Sequence, residues 1–231
     1  MVREIYTSGE YLKKHPERGA GTSSWKAERI LQMLRRHRME PRTACDVGCG
    51  AGEVLKQLHD RLDSSVRFVG YEISPQAHHL CKTRESERLR FVCGDFLNEN
   101  TETFDLMLLI DVVEHVEDCF GFLRALRPRA QYKILHLPLD LSAQSILRNV
   151  PMRMRENVGH LHCFTKDTAL ATVREAGYEI VDWTYTDGSI SLPAQSVKSY
   201  LARLPRRLLF ALRPDFAVRL LGGYALLILA K

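Results

Sequence analysis

Asp46-Val47-Gly48-Cys49-Gly50-Ala51-Gly52-Glu53 is the stretch that decides the reading of this 231-residue chain. It follows the apolar run Thr43-Ala44-Cys45-Asp46-Val47 and opens a segment, residues 53–62, whose Val54, Leu55, Leu58 and Leu62 share one helical face. Glycines at 48, 50 and 52 let the backbone turn tightly and approach a ligand closely. The helix N-terminus behind them offers unpaired N–H groups to an anionic group.

Working outward, residues 66–71 and 89–93 predict two more strands, 104–110 a strongly apolar fourth and 132–137 a fifth. Helices are expected over 75–84, with Ser74 as N-cap and Pro75 at the first turn, over 116–127, and over 165–176 with Thr165 as N-cap and Gly177 beyond the end. Residues 178–185 and 224–230 are the last two strands. They lack a plain crossover helix between them, which suits an antiparallel edge. Strands apolar on both faces, alternating with helices, predict an α/β fold: a seven-stranded, mostly parallel sheet with an antiparallel last strand and helices on both faces. A single domain over 1–231 is expected. Residues 1–40 form a helical cap, started by Ser23 or Ser24, and 140–162 and 187–222 are insertions beside the strand ends where such sheets bind ligands.

A carboxylate, Glu72, ends the second strand, where this architecture binds both hydroxyls of a ribose. Gly94-Asp95-Phe96 follows the third strand. Four ordered segments, Asp46–Gly52, Tyr71-Glu72-Ile73-Ser74, Gly94-Asp95-Phe96 and Phe104-Asp105-Leu106 with Asp111, together resemble the successive motifs of class I S-adenosylmethionine (SAM)-dependent methyltransferases. The resemblance covers roughly residues 25–185 and the terminal strand. It implies a Rossmann-like fold, SAM as cofactor and S-adenosylhomocysteine (SAH) as product. Carried over, Asp46, Gly48, Cys49 and Gly50 line the methionine end, and Glu72, with Ile73 beside it, holds the ribose. Asp95 and Phe96 hold the adenine; Ile110, Asp111 and Val112 form the floor under the sulfonium. An NAD(P) fingerprint would need glycine at position 53, where this chain has Glu53. Arg127-Pro128-Arg129-Ala130 departs from the family's Pro-Gly-Gly turn. Asp111-Val112-Val113-Glu114-His115 replaces the Asn-Pro-Pro-Tyr type of segment and so speaks against methylation of a base amino group.

Methyl transfer needs positioning, plus a base where the nucleophile is a hydroxyl. His115, beyond the fourth strand, and His160 and His162, in Gly159-His160-Leu161-His162-Cys163-Phe164-Thr165, are the candidates; each has an alternative reading as a loop-fixing histidine. Asp111, Glu114 and His115 also resemble a metal-associated segment of ubiquinone-biosynthesis O-methyltransferases, with Asp in place of the first Glu; no metal is expected. Arg148, Arg153 and Arg155 suit an anionic acceptor. Trp25 and Lys26 sit where relatives fold a helix over SAM.

Composition bounds the rest. Hydrophobic residues make up 45% and charged residues 26%, ordinary for a globular protein, and no apolar run spans a bilayer. The N-terminus shows no signal-peptide core, and six cysteines form no CxxC pair, which suits a reduced, cytoplasmic protein. Between residues 196 and 221 six basic residues face one acid, Asp215, although the whole chain carries only +5. With Val197, Tyr200, Leu201, Leu204 and Leu208 at helical spacing, this basic segment could wall the substrate pocket, lie on an anionic membrane or pack against a partner. Few aromatics stand among its arginines, which counts against nucleic acid. The expectation is a methyltransferase for a small-molecule acceptor, at oxygen. The alternatives are a macromolecular acceptor such as tRNA or a carrier-bound substrate, and a non-catalytic SAM-binding subunit.

Overall fold

The computed structural model describes residues 20–188 and 203–231. Its elements, in chain order, are α1 (Ala20–Arg36), β1 (Thr43–Val47), α2 (Glu53–His59), β2 (Arg67–Glu72), α3 (Pro75–Cys81), β3 (Leu89–Cys93), α4 (Phe96–Glu99), β4 (Phe104–Ile110), α5 (Cys119–Leu126), β5 (Ala130–Leu139), α6 (Ala143–Leu147), α7 (Val150–Val158), α8 (Lys166–Glu175), β6 (Ile180–Thr186), α9 (Arg203–Leu212), α10 (Pro214–Leu221) and β7 (Tyr224–Ala230). The expected helix over 116–127 starts later, because residues Val113–His115 make a separate 3-10 turn and Asp118 caps α5 through the Gly121 amide.

All seven strands join one sheet in the order β3-β2-β1-β4-β5-β7-β6. The β1–β2, β1–β4, β2–β3 and β4–β5 pairs are parallel, whereas β7 runs antiparallel to both β5 and β6. The last strand is therefore antiparallel as expected, but it lies inside the sheet and not at its edge. Burial explains this placement: Tyr224-Ala225-Leu226-Leu227-Ile228-Leu229-Ala230 is apolar on both faces and demands neighbours on both sides. β6, with Asp182, Thr184 and half-exposed rings, tolerates the edge.

Two cores flank the sheet. On one face Ile30, Leu31 and Leu34 of α1 and Leu55 and Leu58 of α2 pack on Phe68, Leu106 and Ile134. On the other, Leu123 and Leu126 of α5, Val173 of α8 and Val218 of α10 cover Met107, Leu135 and Ile228. Each buried leucine contributes about 2 kcal/mol. Helix α1 is already formed at Ala20, so Ser23 and Ser24 lie within it and do not start it. Its Ala27, Ile30, Leu31 and Leu34 repeat at helical spacing and seat it on the sheet. The strand order reverses between β1 and β4, which opens a crevice at their C-terminal ends.

Candidate active site

A cavity of about 1260 Å³ fills that crevice, walled by α1, the glycine loop, the ends of β1, β2 and β4, and the Gly94–Leu97 and Val112–Glu117 turns. Gly48, Gly50 and Gly52 adopt φ of +76°, +57° and +78°, a region that L side chains resist. The Gly48 and Cys49 amides donate to the Tyr71 carbonyl at 2.8 and 3.0 Å, fastening the loop to the end of β2. A Cβ on Gly48 would stand 2.7 Å from Val112 Cγ2, whereas one on Gly50 would meet no atom within 4 Å. Gly48→Ala is thus expected to lose about 2 kcal/mol of stability, and Gly50→Ala only the backbone strain of about 1 kcal/mol. Denaturant unfolding of both variants checks this, and equal losses would contradict the close approach at Gly48.

Two carboxylates end adjacent strands. Glu72, 7% exposed, accepts from the Gly50 amide through Oε2 and the Ser74 amide through Oε1, each at 2.8 Å. Burial raises its pKa, against the pull of those amides. Asp46 is 2% exposed and its Oδ1 has no hydrogen-bond partner among the described residues. Burial first, then the Glu72 charge, raises its pKa well above the ordinary range. A buried carboxylate oxygen without a donor is costly unless a ligand supplies one. Asp46, Glu72, Asp95, Asp111 and Glu114 all line the cavity, against Lys26 and Arg84 as its lysine and arginine. That donor set fits SAM, which carries an ammonium, a cationic sulfonium and two ribose hydroxyls. Asp46 and Gly48–Gly50 would hold its methionine end and Glu72 its ribose. Cys49, Ile73, Ile110 and Val112 also line the cavity, where the motifs put them.

Asp95 and Phe96, beyond the third strand, both reach the cavity. Asp95 lines the cavity and caps α4 by accepting from the Leu97 amide at 3.1 Å. The Phe96 ring is 1% exposed, packed edge-on against Tyr71 at 4.9 Å and near Phe104. The ring packs mainly into the core, and it lines the cavity together with Leu97 and Leu80.

Asp111 takes φ of +55° at the end of β4. Lys26 of α1 donates to its Oδ2 at 2.5 Å, and His136 Nδ1 of β5 lies 2.5 Å from its Oδ1. His136 Nε2 continues to Thr186 Oγ1 at 2.9 Å. Burial opposes ionisation of Asp111, but His136 and Lys26 outweigh it and hold the carboxyl far below its usual range. Lys26 thus pins α1 over the cavity, as the sequence suggested for this helix. Trp25 lines the cavity as well, edge-on to His136.

The opposite end of the cavity gathers Glu114, His115 and His160. The two imidazoles stand edge to face at 4.8 Å, and one ligand-type atom from each of the three residues lies within 4.8 Å of the others. His160 Nδ1 is 2.5 Å from Asp140 Oδ2, and His115 Nδ1 is 3.1 Å from the Gly159 carbonyl. Glu114 is wholly buried, with neither carboxylate oxygen hydrogen-bonded among the described residues. Burial, then the Asp111 charge, raises its pKa strongly. The folded chain therefore holds a proton that the unfolded chain releases above about pH 4.3. That contribution to stability is lost as pH rises through the raised value. Glu114→Gln should remove this slope from the dependence of Tm on pH, and an unchanged slope would contradict it.

Several expected partners do not converge. His162 does not line the cavity: its Nε2 donates to the Val116 carbonyl at 2.8 Å, fixing the loop. Asp111 is turned to Lys26 and His136, so the Asp111, Glu114, His115 set is not presented together; His160 takes the third place. Arg148, Arg153 and Arg155 are exposed and outside the cavity, which removes the residues that argued for an anionic acceptor. Lys198, Tyr200 and the rest of 189–202 lie outside the described residues. Sequence reasoning missed His136 and Asp140; the signal for His136 was a histidine inside the apolar run from Ile134 to Leu139.

Known proteins share this fold. Residues 23–182 match the family described as "Methyltransferase domain". Norajmaline N-methyltransferase of Rauvolfia serpentina is 32% identical over 121 residues, 46% of this chain and 41% of that protein. Methoxy mycolic acid synthase MmaA3 of Mycobacterium tuberculosis is 30% identical over 123 residues, 48% of this chain and 41% of that protein. The match therefore spans less than half the length of either relative. The fold is shared with a Haloferax volcanii putative methyltransferase solved with the Trm112 activator, at a TM-score of 0.67 and 17% identity over 100% of this chain and 96% of that one. With the family match reaching from α1 to β6, the glycine loop turning into the cavity and the two strand-end carboxylates beside it, the chain belongs to the class I SAM-dependent methyltransferases.

Proposed function

We propose that the chain transfers a methyl group from SAM to an oxygen of a small-molecule acceptor, with His160 as the base. The observation that carries this reading is the His160–Asp140 pair at 2.5 Å, gathered with His115 and Glu114 in the cavity wall. When bound, SAM supplies a methyl group already activated on a sulfonium. With Nδ1–H donated to Asp140, His160 keeps a lone pair on Nε2 that can take the acceptor hydroxyl's proton as the oxygen bonds to the methyl carbon. Asp140 is a positioning residue that fixes the tautomer. The Asp111–Val112 turn supports the site from below, and α1, pinned by Lys26, keeps water out.

We also read the cluster as working without a metal, with His160 held by Asp140 as a proton acceptor. The chain acts as one domain over 1–231, with 140–162 carrying the base, and in the cytoplasm, where its six free cysteines stay reduced. No helix of the described residues is long and apolar enough to cross a membrane.

Release of SAH from SAM is the test, measured against matched panels of hydroxyl, amine and carbon acceptors with and without a chelator. Turnover on hydroxyl acceptors, unaffected by the chelator, is expected. Turnover confined to amines or carbon would overturn the oxygen assignment, and loss with chelator restored by a divalent ion would make the cluster a metal site.

A further inference from the structure

Helices α9 and α10 send only part of their apolar side chains inward. Phe210 stacks on Tyr224 at 5.1 Å, and Ala217 and Val218 are buried. Leu204, Leu208 and Leu212 repeat every fourth residue along α9, Phe216 and Leu220 do the same on α10, and all five are between 38% and 71% exposed. Helix α6, which packs against α10, adds Ile146 at 62% and Leu147 at 88%. Isolated exposed leucines are ordinary. A set of them on touching helices marks a surface that something covers.

The charges indicate what covers it. Arg207 and Arg213 are exposed on the same helices, and Arg148, Arg153 and Arg155 are exposed on α6–α7. Asp215, the acid of α9–α10, is exposed but paired, with Lys166 at 2.9 Å and Tyr185 at 2.5 Å. Pairing this face with the same face of a second copy would set arginine against arginine. Nucleic acid would leave the leucines in water and find little but Phe216 to stack on. An anionic bilayer satisfies both halves, taking leucines into the acyl boundary and guanidinium groups among the phosphates.

We propose that α9, α10 and α6 form a peripheral docking surface for anionic phospholipid membranes. The surface continues through α7, which ends at Gly159, into His160 of the site. Docking therefore holds the acceptor end of the cavity close to the bilayer. The lipid-facing side chains are separate from those that bind cofactor, so the surface and the methyl-transfer reading stand or fall independently.

Sedimentation of the full chain with vesicles of phosphatidylcholine alone or mixed with phosphatidylglycerol tests it. Binding to the mixed vesicles is expected to exceed binding to phosphatidylcholine by about tenfold or more and to weaken with added salt. Arg207→Glu with Arg213→Glu should cut it by about tenfold or more. Leu208→Asp with Leu212→Asp should abolish it, while SAH binding stays at the wild-type level in both variants because the altered side chains are exposed. Wild-type protein left in the supernatant with mixed vesicles at low salt would overturn the proposal. So would variants that sediment like wild type, or a concentration-dependent dimer that the leucine variant dissolves without any vesicle binding.

Discussion

His160→Ala is expected to lower kcat by about 10²–10³-fold while changing SAH affinity by less than about twofold. Its partner Asp140 follows β5 and Glu72 ends β2, with β1 and β4 between them in the sheet, so removing the ring leaves the Glu72 contacts in place. Its Nδ1 is committed to Asp140 at 2.5 Å, which leaves Nε2 as the atom able to accept a proton. Asp140→Asn should act in the same direction through the wrong tautomer, and the loss should shrink as pH is raised and the acceptor hydroxyl ionises unaided. A merely structural role would give a pH-independent loss in both variants. His115→Ala should cost less, since a carbonyl holds Nδ1 of that imidazole where a carboxylate holds Nδ1 of His160. Stopped assays of SAH release, with calorimetry for affinity, separate the two parameters. An unchanged kcat in His160→Ala would remove it as the base.

Glu72→Gln is the second large effect, and it falls on binding. The variant should fold and bind SAH more weakly by on the order of 10²-fold, about 3 kcal/mol, the worth of two hydroxyl hydrogen bonds to a charged group. Glu72 already receives the Gly50 and Ser74 amides at 2.8 Å each, so its oxygens are fixed before a ribose arrives. The Gln variant presents an amide N–H to one of those backbone donors and loses that preorganisation. A pH dependence follows with a definite sign. Burial raises the Glu72 pKa, and the hydroxyls need the ionised form, so wild-type affinity falls as pH is lowered. The fall begins above the ordinary glutamate value of about 4.3. Asp46, raised further by burial and by Glu72 itself, adds to it. The residual dependence in Glu72→Gln reports Asp46 alone. A variant that binds SAH like wild type would exclude Glu72 as the ribose ligand.

How much of this was legible in the sequence depends on how local each cause is. The glycine loop was, because three left-handed positions and a strand-to-helix turn leave a mark in eight consecutive residues. Thr165 was legible as a cap for the same reason, and so was the extent of β4, whose run from Phe104 to Ile110 is apolar except at Asp105. The interior position of β7 was not, since strand order is a property of the whole sheet; the clue was that β7 is apolar on both faces and β6 is not. The packing of Phe96 was not legible, because a ring beside a strand-end turn can point to the cavity or the core, and its edge-on contact with Tyr71 is a long-range one. His162 and His160 are two residues apart and look alike in sequence. Chain direction turns one toward the Val116 carbonyl and the other toward Asp140 in the cavity wall. His136 and Asp140 came to the site on β5 and just beyond it, contacts of long sequence separation that no local spacing encodes.

The His160 and Glu72 effects both require the acidic crevice between Asp46, Glu72 and the glycine loop to take up the cofactor. Titration calorimetry of the full chain with SAH tests this most directly. One SAH per chain is predicted, displaced by SAM and not by NAD, and weakened as pH is lowered. A folded chain that gives no heat with either SAH or SAM would contradict it.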